Sequence, residues 1–375
     1  MTILHFTGRT TQGLPSLPVD ILRKVLTNLW GKDLAICCLV SRDLLDHARV
    51  QLYRYITVEC VEDFAEEYEY TTNSFRVLCT LFAHPHLARL VRFLEFGTVE
   101  ECRPEGPSRV STTPKDVVQT FTSLSPGVLS LEFRFHEWPV IESLPALGGV
   151  APQLQELTVL RLNRIVCEAL DRSSKLRFLE VDSIAKDIPE SLLVALSSSL
   201  VHLLVHRPAE SFPILVNAAA GTLRTVDLPM ISIPILFQTK LPALEELKIH
   251  MEDLSFLEHY PTFSYSAPWW TNYQKAESLK IVTLQFDRDS HFAPHSERFL
   301  LNRGEGLFRR QLKRINFFWR LPLERLVESF SLLPATPPVQ ELEWVYCDES
   351  ATEMQFEIIR CLCKSAGVEF YPSEF

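Results

Sequence analysis

Residues 154–181 read LQELTVLRLNRIVCEALDRSSKLRFLEV and contain one repeating unit of the chain. Each end of the stretch carries an apolar residue, two others, an apolar residue, one other and an apolar residue. That pattern is too short for a helix and alternates as a half-buried strand does. The intervening residues 163–172, NRIVCEALDR, are typical of a helix. The stretch therefore predicts a strand, a helix and a second strand.

The six-residue strand pattern returns along the chain at spacings that suit a repeat. The five spacings between Val128 and Leu244 lie between 21 and 26 residues. A strand and a helix in a unit of this length resemble a leucine-rich repeat, which implies a curved solenoid with its strands on the concave side. A general α/β domain whose strands share a pattern is the alternative. The copies begin at Val91, Val128, Leu154, Leu176, Leu200, Leu223, Leu244, Leu279, Leu312 and Val339.

The repeat departs from the leucine-rich type in its turns. Leucine-rich repeats usually place Asn or Cys at the ninth position of each unit, and here only Cys347 does so. The turns must then satisfy their backbone groups by other means. We predict a degenerate leucine-rich-repeat-like α/β solenoid over residues 59–375. Further helices are predicted at 189–198, 322–333 and 352–365, and insertions at 97–113, 254–278 and 287–311.

Residues 17–58 read LPVDILRKVLTNLWGKDLAICCLVSRDLLDHARVQLYRYITV and predict a separate unit of three short helices. Pro18 suits the first turn of a helix, where its missing N–H leaves no bond unmade. Gly31 then ends the first helix, and Asp33 caps the second. Three helices of this length bury too little surface to hold all the apolar side chains of the stretch. Some of these side chains must therefore face a partner.

The same stretch is similar to an F-box. The family usually has Trp shortly after Val-Ser-Arg, and here Leu44 and Leu45 stand in that place. An ordinary three-helix cap at the N-terminus is the alternative. The residues that carry the resemblance are Leu17-Pro18, Asp20-Ile21-Leu22, Val25-Leu26, Leu29, Asp33-Leu34, Leu39-Val40-Ser41-Arg42, Ala48 and Leu52-Tyr53-Arg54.

The resemblance implies a substrate-recognition adaptor of a Skp–cullin–F-box ubiquitin ligase, which serves ubiquitin-dependent degradation. It implies a flexible tail at 1–13, an F-box-like module at 14–58 that binds the Skp adaptor, and a solenoid that binds a protein target. The fold class is then α/β, a short three-helix F-box followed by the solenoid. The residues expected to contact the Skp adaptor, several of which must also form the module's core, are Leu17, Pro18, Ile21, Leu22, Val25, Leu26, Leu34, Leu39, Val40 and Leu52.

The outward positions of the predicted strands carry nine acidic residues against the basic Arg134, Lys248 and Arg314. A surface of one sign attracts the opposite charge, so we expect a basic target. Polar residues at solvent-facing positions are the alternative. The aromatic residues of 254–278 form either a local core or a recognition element. The residues expected to bind the target are Glu132, Glu156, Glu180, Asp182, Asp227, Glu246, Trp269 and Trp270.

Composition favours an intracellular protein with a large core. The 375 residues are 46% hydrophobic, and the net charge of −10 argues against a nucleic-acid partner. No apolar run approaches the roughly 18 residues of a membrane span, and the N-terminus lacks the basic start and apolar stretch of a signal peptide. Nine cysteines, an odd number, do not form a disulfide framework. We therefore predict a location in the cytoplasm, the nucleus or both.

The sequence carries no specific catalytic motif, so we expect no enzyme activity and no cofactor. Residues 304–306, GEG, lack the third glycine of a phosphate loop. Neither a GxSxG elbow nor a paired CxxC occurs. The nearest approach to a metal cluster is the polar loop 287–295, for which we predict no metal. The alternative function is a repeat-based interaction scaffold without a link to a ligase.

Overall fold

In the computed structural model, the first described residues form three helices. They are α1 (Val19–Thr27), α2 (Gly31–Val40) and α3 (Arg42–Leu52), and α3 packs against the other two. The residues that the structure describes are 18–40, 42–62, 68–98, 111–134, 149–171, 173–229, 238–251, 276–286, 312–318, 339–345, 353–365 and 369–372, with Leu147, Ser232, Leu236 and Gly367.

The first helix ends earlier than the sequence predicts. The hydroxyl of Thr27 and the side-chain amide of Asn28 both donate to the carbonyl of Lys24, at 2.8 and 2.9 Å. These bonds satisfy a carbonyl that the last turn of a helix leaves without a partner. Gly31 is the first residue of α2, so the prediction that it ends the first helix is wrong.

A 14-stranded sheet follows the helices. Its order is β14-β13-β12-β11-β10-β9-β8-β7-β6-β5-β3-β1-β2-β4, and neighbours pair in parallel except for β1 with β2 and β2 with β4. The strands are β1 (Tyr55–Glu62), β2 (Tyr68–Tyr70), β3 (Phe93–Thr98), β4 (Ser111–Thr112), β5 (Ser130–Phe133), β6 (Glu156–Leu162), β7 (Phe178–Ile184), β8 (His202–Arg207), β9 (Thr225–Pro229), β10 (Glu246–Met251), β11 (Ile281–Phe286), β12 (Leu312–Phe318), β13 (Val339–Val345) and β14 (Glu369–Pro372).

The ten copies of the six-residue pattern coincide with ten parallel strands, β3 and β5 to β13, so the strand prediction is confirmed. Each copy pairs with the next copy along the chain. In the copies that start between Val91 and Leu244, all three apolar positions are buried. This alternation turns one face of the sheet towards a core and leaves the other face open.

Helices lie between many of the strands and cover the core face. The predicted helices at 163–172, 189–198 and 352–365 are confirmed with somewhat shorter bounds, whereas 322–333 lies outside the described residues. Asn163 begins one of them by accepting a bond from the amide of Val166 at 3.0 Å. The helices are α4 (Thr72–Ala83), α5 (Pro85–Ala88), α6 (Pro114–Leu124), α7 (Arg164–Ala169), α8 (Glu190–Ser197), α9 (Phe212–Ala219) and α10 (Glu353–Ser365).

The turns that lead into the strands share one backbone hydrogen-bond arrangement. The carbonyl of Gln155, the second residue of its copy, accepts from the amides of Arg177 and Phe178 in the next unit, at 2.8 and 3.0 Å. Such shared carbonyls replace the missing side-chain ladder, because they give the backbone of each turn a partner. The same pair of hydrogen bonds forms at seven other carbonyl oxygens, each of which accepts from two successive amides: those of Arg54, Arg92, Leu129, Arg177, Val201, Arg224 and Glu245.

The carbonyl of Arg54, which accepts from two amides as the others do, shows that the repeat begins one copy earlier than the sequence predicts. Residues 53–58, YRYITV, fit the six-residue pattern, and Ile56 and Val58 are buried in the same core as the later strands. The sequence reading gave these residues to the N-terminal module. Strand β1 therefore runs across the boundary predicted at residue 58.

Candidate functional site

The first candidate surface lies on the helical unit, residues 18–52. Leu26, Leu34 and Ala48 form its small buried core. The core cluster of the sheet contains none of them, so the helical unit has a hydrophobic core of its own. With so few buried side chains, this core needs only part of the apolar surface of its helices.

The apolar residues of α1 point in two directions, towards the small core and towards solvent. Leu22 packs against the small core, as does Leu29 just after the helix, whereas Ile21 and Val25, four residues apart, are half exposed. The sequence reading placed all of these on one face. The structure separates them because the small core accepts only the side of the helix that faces α3.

α2 leaves the larger apolar surface open. Its residues 34–40, LAICCLV, are apolar without interruption, and such a helix is normally surrounded by protein. Here Ile36, Leu39 and Val40 are 52%, 87% and 66% exposed, and they recur at a spacing that puts them on one side of the helix. Trp30, just before α2, is 81% exposed. We call Trp30, Ile36, Leu39 and Val40 the α2 surface.

The structure sorts the residues expected to contact the Skp adaptor into three groups. Leu26 and Leu34 are buried in the small core, so in this structure they cannot touch a partner. Leu22 and Leu52 pack partly against that core. Leu17 lies outside the described residues. The exposed members of the set are Pro18, Ile21, Val25, Leu39 and Val40.

Sequence reasoning missed Trp30 and Ile36. Both are exposed apolar side chains. The signal for Ile36 was the unbroken apolar run of α2, which no single face of a helix can account for. Trp30 precedes that run, which therefore gives no signal for it.

A short junction joins the helical unit to the sheet. α3 ends at Leu52, which packs against the small core, and Tyr53 packs against the large one. The guanidinium of Arg54 lies 5.3 Å from the centre of the Phe93 ring, a cation–π contact. The junction is therefore held by side chains on its sheet side.

The second candidate surface is the open face of the sheet. Strand register aligns Glu95 with Glu132, Glu132 with Thr158, and Thr158 with Glu180. Farther along the same row, Asp227 lies beside Lys248. Acidic side chains therefore recur across neighbouring strands, as the sequence predicts.

At the β1 end of the open face, Glu95 and Glu132 share one basic partner. Glu95 is buried and accepts hydrogen bonds from the hydroxyls of Tyr55 and Thr57. The Arg134 guanidinium lies 2.9 Å from Glu95 and 2.5 Å from Glu132. Burial, followed by the bond to Glu95, raises the pKa of Tyr55, so this hydroxyl keeps its proton as a donor. Arg134 therefore neutralises part of the negative charge at this end of the face.

Farther along the sheet, two histidines lie beside acidic residues. His206 Nε2 lies 3.6 Å from Glu180 Oε1, and His250 Nε2 lies 2.5 Å from Asp227 Oδ1, without the alignment of a hydrogen bond. The two imidazole centres are 6.1 Å apart. The neighbouring Glu180 raises the pKa of His206 above its ordinary value, and burial opposes this shift. The charge of this region therefore depends on pH.

A pocket of about 350 Å³ opens between these strands. Glu180 and Asp182 supply its acidic wall, and Arg207 reaches Asp182 at 3.6 Å. Thr158 donates to Glu180 at 3.3 Å. Its lining residues are Phe133, Thr158, Val159, Leu160, Glu180, Asp182, His206 and Arg207.

The structure brings most of the predicted target-binding residues onto this face. Trp269 and Trp270 lie outside the described residues, so their role stays a prediction. The sequence count of charges omitted both histidines, because histidine was counted as neutral. It omitted Arg207 because this residue is the eighth of its unit, outside the counted third, fifth and seventh positions. The predicted residues on the open face are Glu132, Glu156, Glu180, Asp182, Asp227 and Glu246.

The buried cysteines do not resemble nucleophiles. Burial raises the pKa of Cys60 and Cys167 to about 12 and that of Cys363 to about 11, so these thiols stay protonated at neutral pH. Among the described residues, no group of three or more His, Cys, Asp or Glu is placed to hold a metal. The polar loop 287–295 lies outside them. Within the same described set, no helix has the length and hydropathy that crossing a membrane requires.

Comparisons with known proteins give little further guidance. No protein-family model matches the chain, and a search of curated proteins found no match. Among solved structures, the chain is similar to the crystal structure of the Rad7 and Elc1 complex in yeast. The match has 10% sequence identity and a TM-score of 0.33, and it covers 89% of each chain. A likeness this weak does not bear on the function of this chain.

Proposed function

We propose that the chain is a substrate-recognition adaptor of a Skp–cullin–F-box ubiquitin ligase. In this proposal the helical unit is an F-box that binds the Skp adaptor, and the sheet is a leucine-rich-repeat-like domain that binds a protein target. The observation that carries the proposal is the α2 surface. A helical unit whose core has three buried residues leaves large apolar side chains exposed, and such surfaces mark protein contacts.

The role proposed for the chain is positioning, without catalysis of its own. A receptor that holds a target beside a ubiquitin-conjugating enzyme loaded with ubiquitin raises the local concentration of the target's lysines. This role needs a docking surface and a recognition surface on one chain. The helical unit and the open face supply one candidate for each.

The test is co-purification of the chain with the Skp adaptor. Truncation of a side chain that contributes strongly to an interface lowers the binding free energy by about 2 kcal/mol or more. We therefore expect Leu39→Ser/Val40→Ser to weaken adaptor binding at least about tenfold. Ile165→Ser/Val194→Ser is the matched control, because both residues are exposed and apolar but lie on α7 and α8. We expect the control to bind as the unchanged chain does.

Adaptor binding also separates the two candidate functions. The alternative, an interaction scaffold without a ligase link, is favoured by Leu44 and Leu45 where the F-box family usually has Trp. If the unchanged chain does not bind the Skp adaptor in a purified mixture, the ligase proposal is wrong. If both double variants lose binding equally, the α2 surface is not the docking site.

A further inference from the structure

The pocket between β6, β7 and β8 combines an acidic wall with an apolar one. Glu180 and Asp182 are two residues apart on β7, so both side chains stand on the open face about 7 Å apart. Leu160, which is partly exposed, forms the apolar side, next to Phe133 and Val159, which are buried in the core of the sheet. A volume of about 350 Å³ is sufficient for a single long side chain.

Both carboxylates keep acceptor capacity. Glu180 receives one long hydrogen bond, from Thr158 at 3.3 Å. His206 and Arg207 approach Glu180 and Asp182 only to 3.6 Å, which is beyond a normal hydrogen bond. The side chain of Arg207 is 78% exposed, so its ion pair with Asp182 is weak and a ligand cation can replace it.

We propose that this pocket binds a lysine or arginine side chain of a partner protein, and that protonation of His206 weakens the binding. The cationic group would lie between Glu180 and Asp182, and its hydrocarbon stem would lie along Leu160. The proposal rests on the proposed function only in taking the open face as the surface for a target.

His206 competes with such a ligand for the same carboxylate. Protonated His206 neutralises Glu180 and repels a cation, whereas neutral His206 leaves Glu180 available. The charged and titratable groups that face His206 are Glu180 and Asp182 on β7, Arg207 on its own strand, Asp227 on β9 and His250 on β10. The neighbouring Glu180 raises the pKa of His206 above its ordinary value, so His206 holds its proton to a higher pH than a free imidazole does. Binding a cation and binding a proton are therefore mutually opposed.

The experiment measures binding of a fluorescein-labelled arginine–glycine–serine peptide to the full chain, without the Skp adaptor. A peptide with citrulline at each arginine position is the uncharged control. We expect the arginine peptide to bind better than the citrulline peptide. Its affinity should fall about fivefold between about pH 8 and about pH 6, a range in which arginine does not titrate.

Three variants separate the parts of the proposal. We expect Glu180→Gln/Asp182→Asn to bind the arginine peptide no better than the citrulline peptide. Asp171→Asn/Glu190→Gln removes the same charge from exposed positions outside the pocket and should bind as the unchanged chain does. His206→Gln should bind at both pH values with the same affinity. Circular dichroism of each variant checks that the fold is retained.

Several results would overturn the proposal. Equal binding of the arginine and citrulline peptides would show that the pocket does not select a cation. Unchanged binding by Glu180→Gln/Asp182→Asn would place the ligand elsewhere, and a pH effect that survives in His206→Gln would exclude His206. Failure of adaptor binding, measured separately on the α2 surface, would leave each of these results unaffected.

Discussion

At the scale of single residues, His206 connects proton binding with stability. Its pKa is raised in the folded chain, chiefly by Glu180, above an ordinary value of about 6.5. The stabilisation is therefore fully present below about pH 6.5 and is lost as the pH rises through the folded-state pKa. We expect His206→Gln to lower the free energy of unfolding at about pH 5.5 by a few tenths of a kcal/mol, because the pair is half exposed, and to have less effect at about pH 8.

Urea titrations of the two proteins at both pH values measure this difference. His202→Gln is the control, because His202 lies on the same strand and is exposed. The control should leave the pH dependence of stability unchanged. A loss of stability in His206→Gln that is larger at high pH would contradict the assigned direction of the pKa shift.

At the scale of elements, the strands could be predicted from the sequence and the apolar faces of the helices could not. Every copy of the six-residue pattern became a strand, because burial of alternate side chains on one face leaves few other structures possible. The direction of Ile21 and Val25 depends on how many side chains the small core can hold. That capacity follows from the packing of three helices, which the spacing along α1 does not encode.

The open face of the sheet likewise has features that the sequence predicts and features that it does not. The acidic residues of the open face follow from strand alternation, and they were predicted. Their partners were not, because the contacts of Arg134 with Glu95 and of His206 with Glu180 cross between strands. Each contact depends on strand register and on side-chain direction, neither of which a single sequence specifies.

The start of α7 gives a prediction for one element. Asn163 is nearly buried, and its carbonyl oxygen caps the helix by accepting from the Val166 amide. We expect Asn163→Ala to lower the free energy of unfolding by about 1 kcal/mol, since it removes the acceptor and leaves that amide without its bond. Asn163→Asp keeps an acceptor oxygen and should recover most of this loss. Thermal unfolding followed by circular dichroism measures both, and equal destabilisation by the two variants would show that capping is not the cause.

At the scale of the whole molecule, the described residues form two hydrophobic cores of very different size. The small core has three buried side chains, whereas the large core extends from β1 to β11 and includes Cys363 on α10. Because stability grows with buried apolar surface, the helical unit should open more easily than the sheet. A partner that binds the α2 surface would add the apolar contacts that the small core lacks.

Hydrogen exchange of the whole chain tests this difference in stability. We expect the amides of α1 to α3 to exchange faster than those of β6 to β9, because local opening of the helical unit exposes little apolar surface. Addition of the Skp adaptor should slow exchange in α1 and α2, since a ligand that binds only the folded unit stabilises it. The sheet should show no such change, and it serves as the internal control. Equal protection of the helices and the sheet without the adaptor would mean that the chain unfolds as one cooperative unit, with the α2 surface held rigid before any partner binds.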